Sequence, residues 1–311
     1  MTVAEIARRI DGLDLWDKVA PYHWALKPHG TAFPYFCVIL KGQGTPVKAR
    51  IMLLEGWKTF QDFLRMRIDP NFGFYSSPEE FPQYELVLLN DGSEPKLYRQ
   101  EPCYMPVQAS AAGEELCRRM LWEILGVMMR IEIDDQLPMK FATDKALFAR
   151  VEGPDGTWRD EPLAIPVPQT HVEHISIPAE VINIVKDMQF AQDEVLELDF
   201  RIMHGIYTHE EHPRCVYVLL AIDAKTGARV ILDSSATKPD HGLRSIWETM
   251  PPRIVKRMMQ MGHVPGEIRL LSQRMFRLLR PLCVHLPFKV SLHDKLPNLE
   301  ASFAELVKMA K

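Results

Sequence analysis

The chain is poor in cysteine and in long apolar runs, and each shortage removes a class of protein. Only five cysteines occur in 311 residues (Cys37, Cys103, Cys117, Cys215 and Cys283), an odd number with no CxxC pair. That excludes a zinc ribbon, a thioredoxin-type motif and a fully paired secreted framework. No stretch approaches the ~20 apolar residues that span a bilayer. The opening MTVAEIARRIDGLDLW mixes apolar with charged residues and lacks a signal-peptide core. Positive charge is not in excess either: 37 Lys and Arg stand against 41 Asp and Glu. The chain as a whole is therefore not built to coat nucleic acid or an anionic membrane. These absences predict a cytoplasmic protein without membrane contact.

What is present is ordinary globular material. With 47% hydrophobic and 25% charged residues, the chain can bury cores of its own, and its length predicts two domains. The clearest change of composition is the proline-rich stretch 152–178, with Pro154, Pro162, Pro166, Pro168 and Pro178. Proline removes ladder donors and restrains the residue before it, so this stretch reads as a linker or an edge crossing. It separates an expected domain over 1–165 from one over 178–311.

The first domain reads as α+β. A helix is expected at about 3–18, then a hairpin of FPYFCVIL and VKARIMLL, then a helix from Trp57 with Phe60, Phe63 and Leu64 on one face. A second hairpin turns at NDGSEP. A long helix follows over about 111–131, with Leu116, Met120, Leu121, Ile124, Leu125 and Met128 as its buried stripe. A third hairpin turns at GPDG (153–156).

The second domain reads as α/β. A helix is expected over about 179–192. In VLELDFRIM, Leu196, Leu198, Phe200 and Ile202 point one way and Glu197, Asp199 and Arg201 the other, predicting a solvated, charge-alternating face. CVYVLLAI and ARVILDSS complete a three-stranded meander. Then come a helix (243–261), the strand EIRLL, the helix QRMFRLLRPL, the strand FKVSLH and a closing helix begun at Pro297. Meander, then helix-strand-helix-strand-helix, is the order of the ribonuclease-H-like fold, which integrases, transposases and many nucleases share. Fold alone does not assign function.

Several segments carry a family resemblance. HWALKPHGTAFPYFCVILKGQGTPVKARIMLLEGWKTFQDFLRMRI, YRQEPCYMPVQASAAGEELCRRMLWEILGVMMRI and the stretch from VLELDF through GEIRLLSQRMFRLLRPL to KLPNLEASFAEL resemble a family of uncharacterised bacterial two-domain proteins. The resemblance implies a two-domain cytoplasmic protein and brings no established activity.

Three groups of residues could carry chemistry. Two-metal phosphodiester hydrolysis needs carboxylates converging on ions about 3.5–4 Å apart. Asp199 (or Glu197) fits the first strand, Glu300 or Glu305 the last helix, and Glu248 a helix between. At the end of EIRLL, however, stand Ser272 and Gln273, neutral groups that are weak ligands for hard cations. Asp223 reads as a turn residue. The second group is histidine-rich: His171, Glu173 and His174, then His204, His209 and His212 with Glu210 and Glu211. It contains metal-ligand residue types but not HExxH spacing. The third is basic: Arg253, Lys256, Arg257, Arg269, Arg274, Arg277 and Arg280 stand between 251 and 285 against Glu267 alone. Excluding Arg269, they cluster on two helices and could meet nucleic acid or an acidic partner, although no aromatic ladder is interleaved for base stacking. KGQGTP joins two strands and lacks the phosphate-cradling context of a helix start. The resulting expectation is a non-catalytic binding or interaction protein that needs no cofactor. Its alternatives are a divalent-metal nuclease and a nucleic-acid-binding protein, and the partner is not specified.

Overall fold

Thr2 caps the first helix: its hydroxyl accepts from the Glu5 amide, and the Glu5 carboxylate accepts from the Thr2 amide. That helix ends sooner than its pattern predicts. Helix α1 covers Val3–Gly12, and a single turn, α2, follows at Trp16–Val19. Between them Asp14 stands at φ 49°, a left-handed backbone that interrupts a right-handed helix. The computed structural model describes residues 1–42, 46–68, 81–102, 104–141, 143, 145–167, 177–208, 213–236 and 246–309, less the side chains of 65–68, 141 and 204–207.

The chain forms two compact units. The first comprises Met1–Phe63, Phe81–Glu101 and Pro106–Gln169; the second comprises Leu64–Glu80, Pro102–Met105 and Thr170–Lys311. Two sheets occur among the described residues, so the protein is a mixed α and β structure.

In the first unit the hairpins join into one eight-stranded sheet. Its strands are β1 (Trp24–Lys27), β2 (Tyr35–Lys41), β3 (Val47–Glu55), β4 (Gln83–Leu89), β5 (Lys96–Gln100), β6 (Val107–Gln108), β7 (Ala146–Glu152) and β8 (Trp158–Ala164), in the order β6-β5-β4-β3-β2-β1-β7-β8. All neighbours are antiparallel except β1 and β7, which run parallel with Ala25 beside Ala149. At four residues β1 is too short to show a period, yet it fuses the hairpins into one sheet. Within the proline-rich stretch, β8 is the edge strand, where Pro162 is tolerated. Helix α3 (Gly56–Ile68) packs Phe60 on Phe36 with ring centroids 4.4 Å apart. On the other face lie α1 and α4 (Ala111–Ile133), whose Cys117, Met120, Leu121, Ile124 and Met128 are buried beside Trp24, Leu26 and Ile51. A short helix, α5 (Leu137–Phe141), follows α4.

In the second unit α6 covers only Ala179–Lys186. The expected helical continuation to 192 is strand instead: β9 runs Gln189–Tyr207, because residues from Gln189 pair with the strand beginning at His263. The sheet adds β10 (Cys215–Asp223), β11 (Arg229–Ala236), β12 (His263–Leu270) and β13 (Lys289–Leu292), in the order β11-β10-β9-β12-β13. The first three are antiparallel neighbours, while β12 runs parallel to both β9 and β13. Gly266 lies at a register shift where a Cβ would stand 2.0 Å from the Gln192 carbonyl oxygen, so only glycine fits the β9–β12 approach.

Both faces of this sheet are covered. Leu198, Phe200, Tyr217, Leu219, Ile268 and Leu270 meet Trp247 and α7 (Met250–Met261), together with α8 (Gln273–Leu279). A 3-10 turn with Pro281 at its start, Arg280–Val284, replaces the expected last turn of α8. On the opposite face Val218, Leu220 and Ile222 meet Leu299 and Phe303 of α9 (Pro297–Met309). This second layer changes the reading of β9. Asp199 sits beside Leu220 and Glu197 beside Ile222, both acids buried, so the expected solvated face is an internal one. Alternation gives the side of a strand correctly but does not say what covers it.

Phe200 touches both Tyr217 and Trp247, with centroids 5.2 and 5.1 Å away. Phe200→Ala is expected to lower unfolding free energy by about 3–5 kcal/mol. Leu232→Ala, on the exposed edge, should change it by less than about 0.5 kcal/mol. Urea denaturation of both variants checks the contrast; equal losses would refute this account of the core.

Candidate functional site

One face of β9 carries Glu197, Asp199 and Arg201, and both of its acids are buried. Its side chains alternate with the apolar ones that fill the opposite core, and α9 closes over them. Each acid there has an assigned partner. The Glu197 carboxylate accepts from the Leu299 amide at 2.9 Å, satisfying a first-turn donor of α9 and placing negative charge at the helix N-terminus. Asp199 is fully buried; its Oδ2 lies 3.1 Å from Arg201 Nε, and its Oδ1 accepts from the Phe200 amide at 2.8 Å. Arg201 Nη2 donates to Glu300 Oε1 at 2.9 Å. The same guanidinium lies 3.9 Å from the centre of the Phe303 ring. One cation thus joins strand to helix.

Burial raises the Asp199 pKa to about 6, and the Arg201 guanidinium opposes that rise without cancelling it. The remaining positions are engaged as well. Ser272, also fully buried, accepts from the Met275 amide at 2.8 Å and caps α8. Glu305 meets Arg229 Nη2 at 2.5 Å, and Arg229 Nε donates to Ser302 at 2.6 Å.

Asp199 and Glu300 are therefore brought to one cation. Glu248 is not brought to them: it adjoins Trp247, which packs on Phe200 across the opposite face of the sheet. Asp223 accepts from Lys225 and Thr226 inside its own turn. His209 and His212, like His171 and His174, lie outside the described residues, as does the side chain of His204. Among the described residues no three His, Cys, Asp or Glu side chains are grouped to hold a metal ion.

The basic residues divide into two sets. Arg253 donates to Ser235 at 3.1 Å, Arg257 lies 3.4 Å from Asp233, and the Arg274 guanidinium stands 4.0 Å from the Trp247 ring centre. Lys256, Arg277 and Arg280 are exposed. The hydroxyl of Ser291 donates to Glu267 Oε1 at 2.5 Å, with His293 Nε2 at 3.0 Å. Burial raises the thiol pKa values of Cys37 and Cys117, which removes them as nucleophiles.

Residues 184–307 match DUF6930, a domain of unknown function. The DUF6930 match includes Glu197, Asp199, Arg201, Ser272 and Glu300, so the whole ion network lies within it. No curated protein matches the chain. A chain in the cryo-electron-microscopy structure of the simian T-cell lymphotropic virus intasome in complex with PP2A regulatory subunit B56 gamma aligns at 10% identity with a TM-score of 0.26. The alignment covers 46% of this chain and 43% of that one, and at that score it carries no argument.

Sequence reasoning missed Arg201 as the organiser of this site. The signal was the acid-x-acid-x-Arg alternation over 197–201: a lone guanidinium on a strand face with two acids is available to pair with them.

The raised Asp199 pKa has a definite sign. Between its ordinary value near 4 and about 6, the unfolded chain releases the proton and the folded chain keeps it, so stability falls as pH rises. The loss is at most about 3 kcal/mol and is complete above roughly pH 7. Asp199→Asn should flatten that slope and be the more stable form at pH 8. Thermal melts of both proteins from pH 4 to 8 test this, and parallel curves would contradict it.

Proposed function

We propose that the protein is a non-catalytic binding or interaction protein, whose second unit keeps a ribonuclease-H-like arrangement with an arginine where hydrolases of that fold hold metal. The sheet order β11-β10-β9-β12-β13, with β12 and β13 parallel to the first strand, supports the fold reading. The observation that carries the functional reading is the Arg201 guanidinium between Asp199 and Glu300.

The donor set does not fit a pair of divalent ions. Such ions need several free anionic oxygens, and a guanidinium has only donors to offer. Asp199 Oδ2 and Glu300 Oε1 face Arg201, Glu197 Oε2 takes a backbone amide, and the serine at the end of β12 caps a helix. Glu197 and Glu300 contribute oxygens to docking α9 and the Ser272 hydroxyl starts α8, while Asp199 Oδ2 lies buried beside Arg201 without a hydrogen bond. The competing reading is a metal-dependent phosphodiester hydrolase, favoured by one fact: Asp199 and Glu300 do converge. Nucleic-acid binding through Lys256, Arg277 and Arg280 is weakened by the internal contacts of Arg253, Arg257 and Arg274.

One set of assays separates these readings. Incubation with single- and double-stranded nucleic acid and Mg²⁺ or Mn²⁺ is expected to give no cleavage. Metal-dependent cleavage lost in Asp199→Asn would overturn the proposal in favour of the hydrolase. Removing the internal cation should damage the fold: Arg201→Ala is expected to cost about 3 kcal/mol at pH 8, because Asp199 is left buried and charged. The cost should shrink below pH 6, where Asp199 is protonated. A variant as stable as the parent at pH 8 would show that the network is not the support proposed here.

A further inference from the structure

Helix α4 is apolar on two sides, and among the described residues the fold covers only one. Its inner stripe fills the first unit's core. On the outer side Trp122 is 47% exposed, Met129 50% and Ile133 88%, and Met139 on the next short helix is 56% exposed. Trp122, Met129 and Ile133 recur at i, i+7 and i+11, so they form one line along a helix of 23 residues. A helix apolar on both faces is expected where both faces are covered.

Gly126 lies on the same line, midway between Trp122 and Met129. A Cβ built there meets nothing within 4 Å, and its φ is not positive, so neither packing nor backbone geometry within the described residues requires glycine. Glycine is the poorest helix former after proline. What it provides at an exposed mid-helix position is room for another backbone to approach.

We infer that this face is a self-complementary dimer interface, in which α4 of one copy packs antiparallel on α4 of a second copy with Gly126 at the crossing. The charges flanking the stripe select this occupant. A two-fold axis at Gly126 sets each residue before it opposite one equally far after it. Arg118 of one copy then falls level with Asp134 of the other, which Lys140 of its own chain holds, and two residues from Glu132, the neighbouring acid; Trp122 falls level with Arg130, next to Met129. The arrangement repeats on both sides of the axis, as an isologous contact requires. Parallel packing would set Arg118 against Arg118. Among the described residues Arg118 is paired only with Glu115, one turn away on the exposed surface, so it can also meet acids across an interface.

Light scattering coupled to size-exclusion chromatography tests the inference on the full chain between about 1 and 100 µM. A mass twice that of the chain is expected at the upper concentration. Gly126→Leu should fold with an unchanged circular dichroism spectrum, since its site is open, yet run as a monomer. Arg118→Glu should weaken the dimer roughly tenfold, and adding Glu132→Arg should restore it. A monomeric parent at every concentration overturns the inference, whatever then covers the stripe. So does a dimer that Gly126→Leu leaves intact, or a charge reversal that Glu132→Arg does not rescue.

Discussion

The second unit is organised around a positive charge held inside it. The Arg201 guanidinium stands between Asp199 and Glu300 as their shared counter-ion. This fixes more than one ion pair. It ties β9 to α9 at the point where Glu197 accepts from the α9 amide and Phe303 packs against the guanidinium. The apolar contacts of Leu299 and Phe303 with Val218, Leu220 and Ile222 would hold the helix on the sheet in several registers. The polar contacts are directional and leave one.

The same three acids would be an asset to a hydrolase and are a liability to a scaffold. A carboxylate buried without a partner is strongly unfavourable, and Asp199 registers part of that penalty in its raised pKa. A metal centre balances such charge with a bound ion, which the protein must acquire. An arginine two residues along the same strand balances it from the sequence itself. The serine at the end of β12 fits this scheme. With the charge already balanced, a further carboxylate there would add an unmatched negative group, whereas a hydroxyl can cap α8.

Much of this architecture is legible in the residues. The order of the second unit's elements follows from period-two runs such as VLELDF and CVYVLLAI, from turn residues and from Pro297. The buried stripe of α4 follows from its 3.6-residue spacing. What escapes is whatever depends on a distant neighbour. Strand β1 is too short to announce itself and exists because β2 and the distant β7 flank it. Residues 189–194 leave their expected helix because β12 offers them a ladder. Glu197 and Asp199 look like a wet face because alternation carries no information about α9, about a hundred residues further on. Local pattern gives the element and the side; long-range pairing decides the environment.

The candidate site was only half legible, for a related reason. Residue types identify groups able to bind metal, but their function depends on which oxygens remain free after folding. Asp199, Glu300 and Glu305 are the letters a nuclease would use, and each meets an arginine. Such arginines are hard to weigh in a sequence, since a basic residue on a strand or turn is ordinary. The informative feature is the matching of charges across elements: Arg201 with two acids, Arg229 with Ser302 and Glu305, both directed at the same helix. On the function proposed above, acids and guanidinium groups that pair off in this way on one helix serve to seat that helix. A catalytic centre instead needs acids in excess, their oxygens left over for an ion.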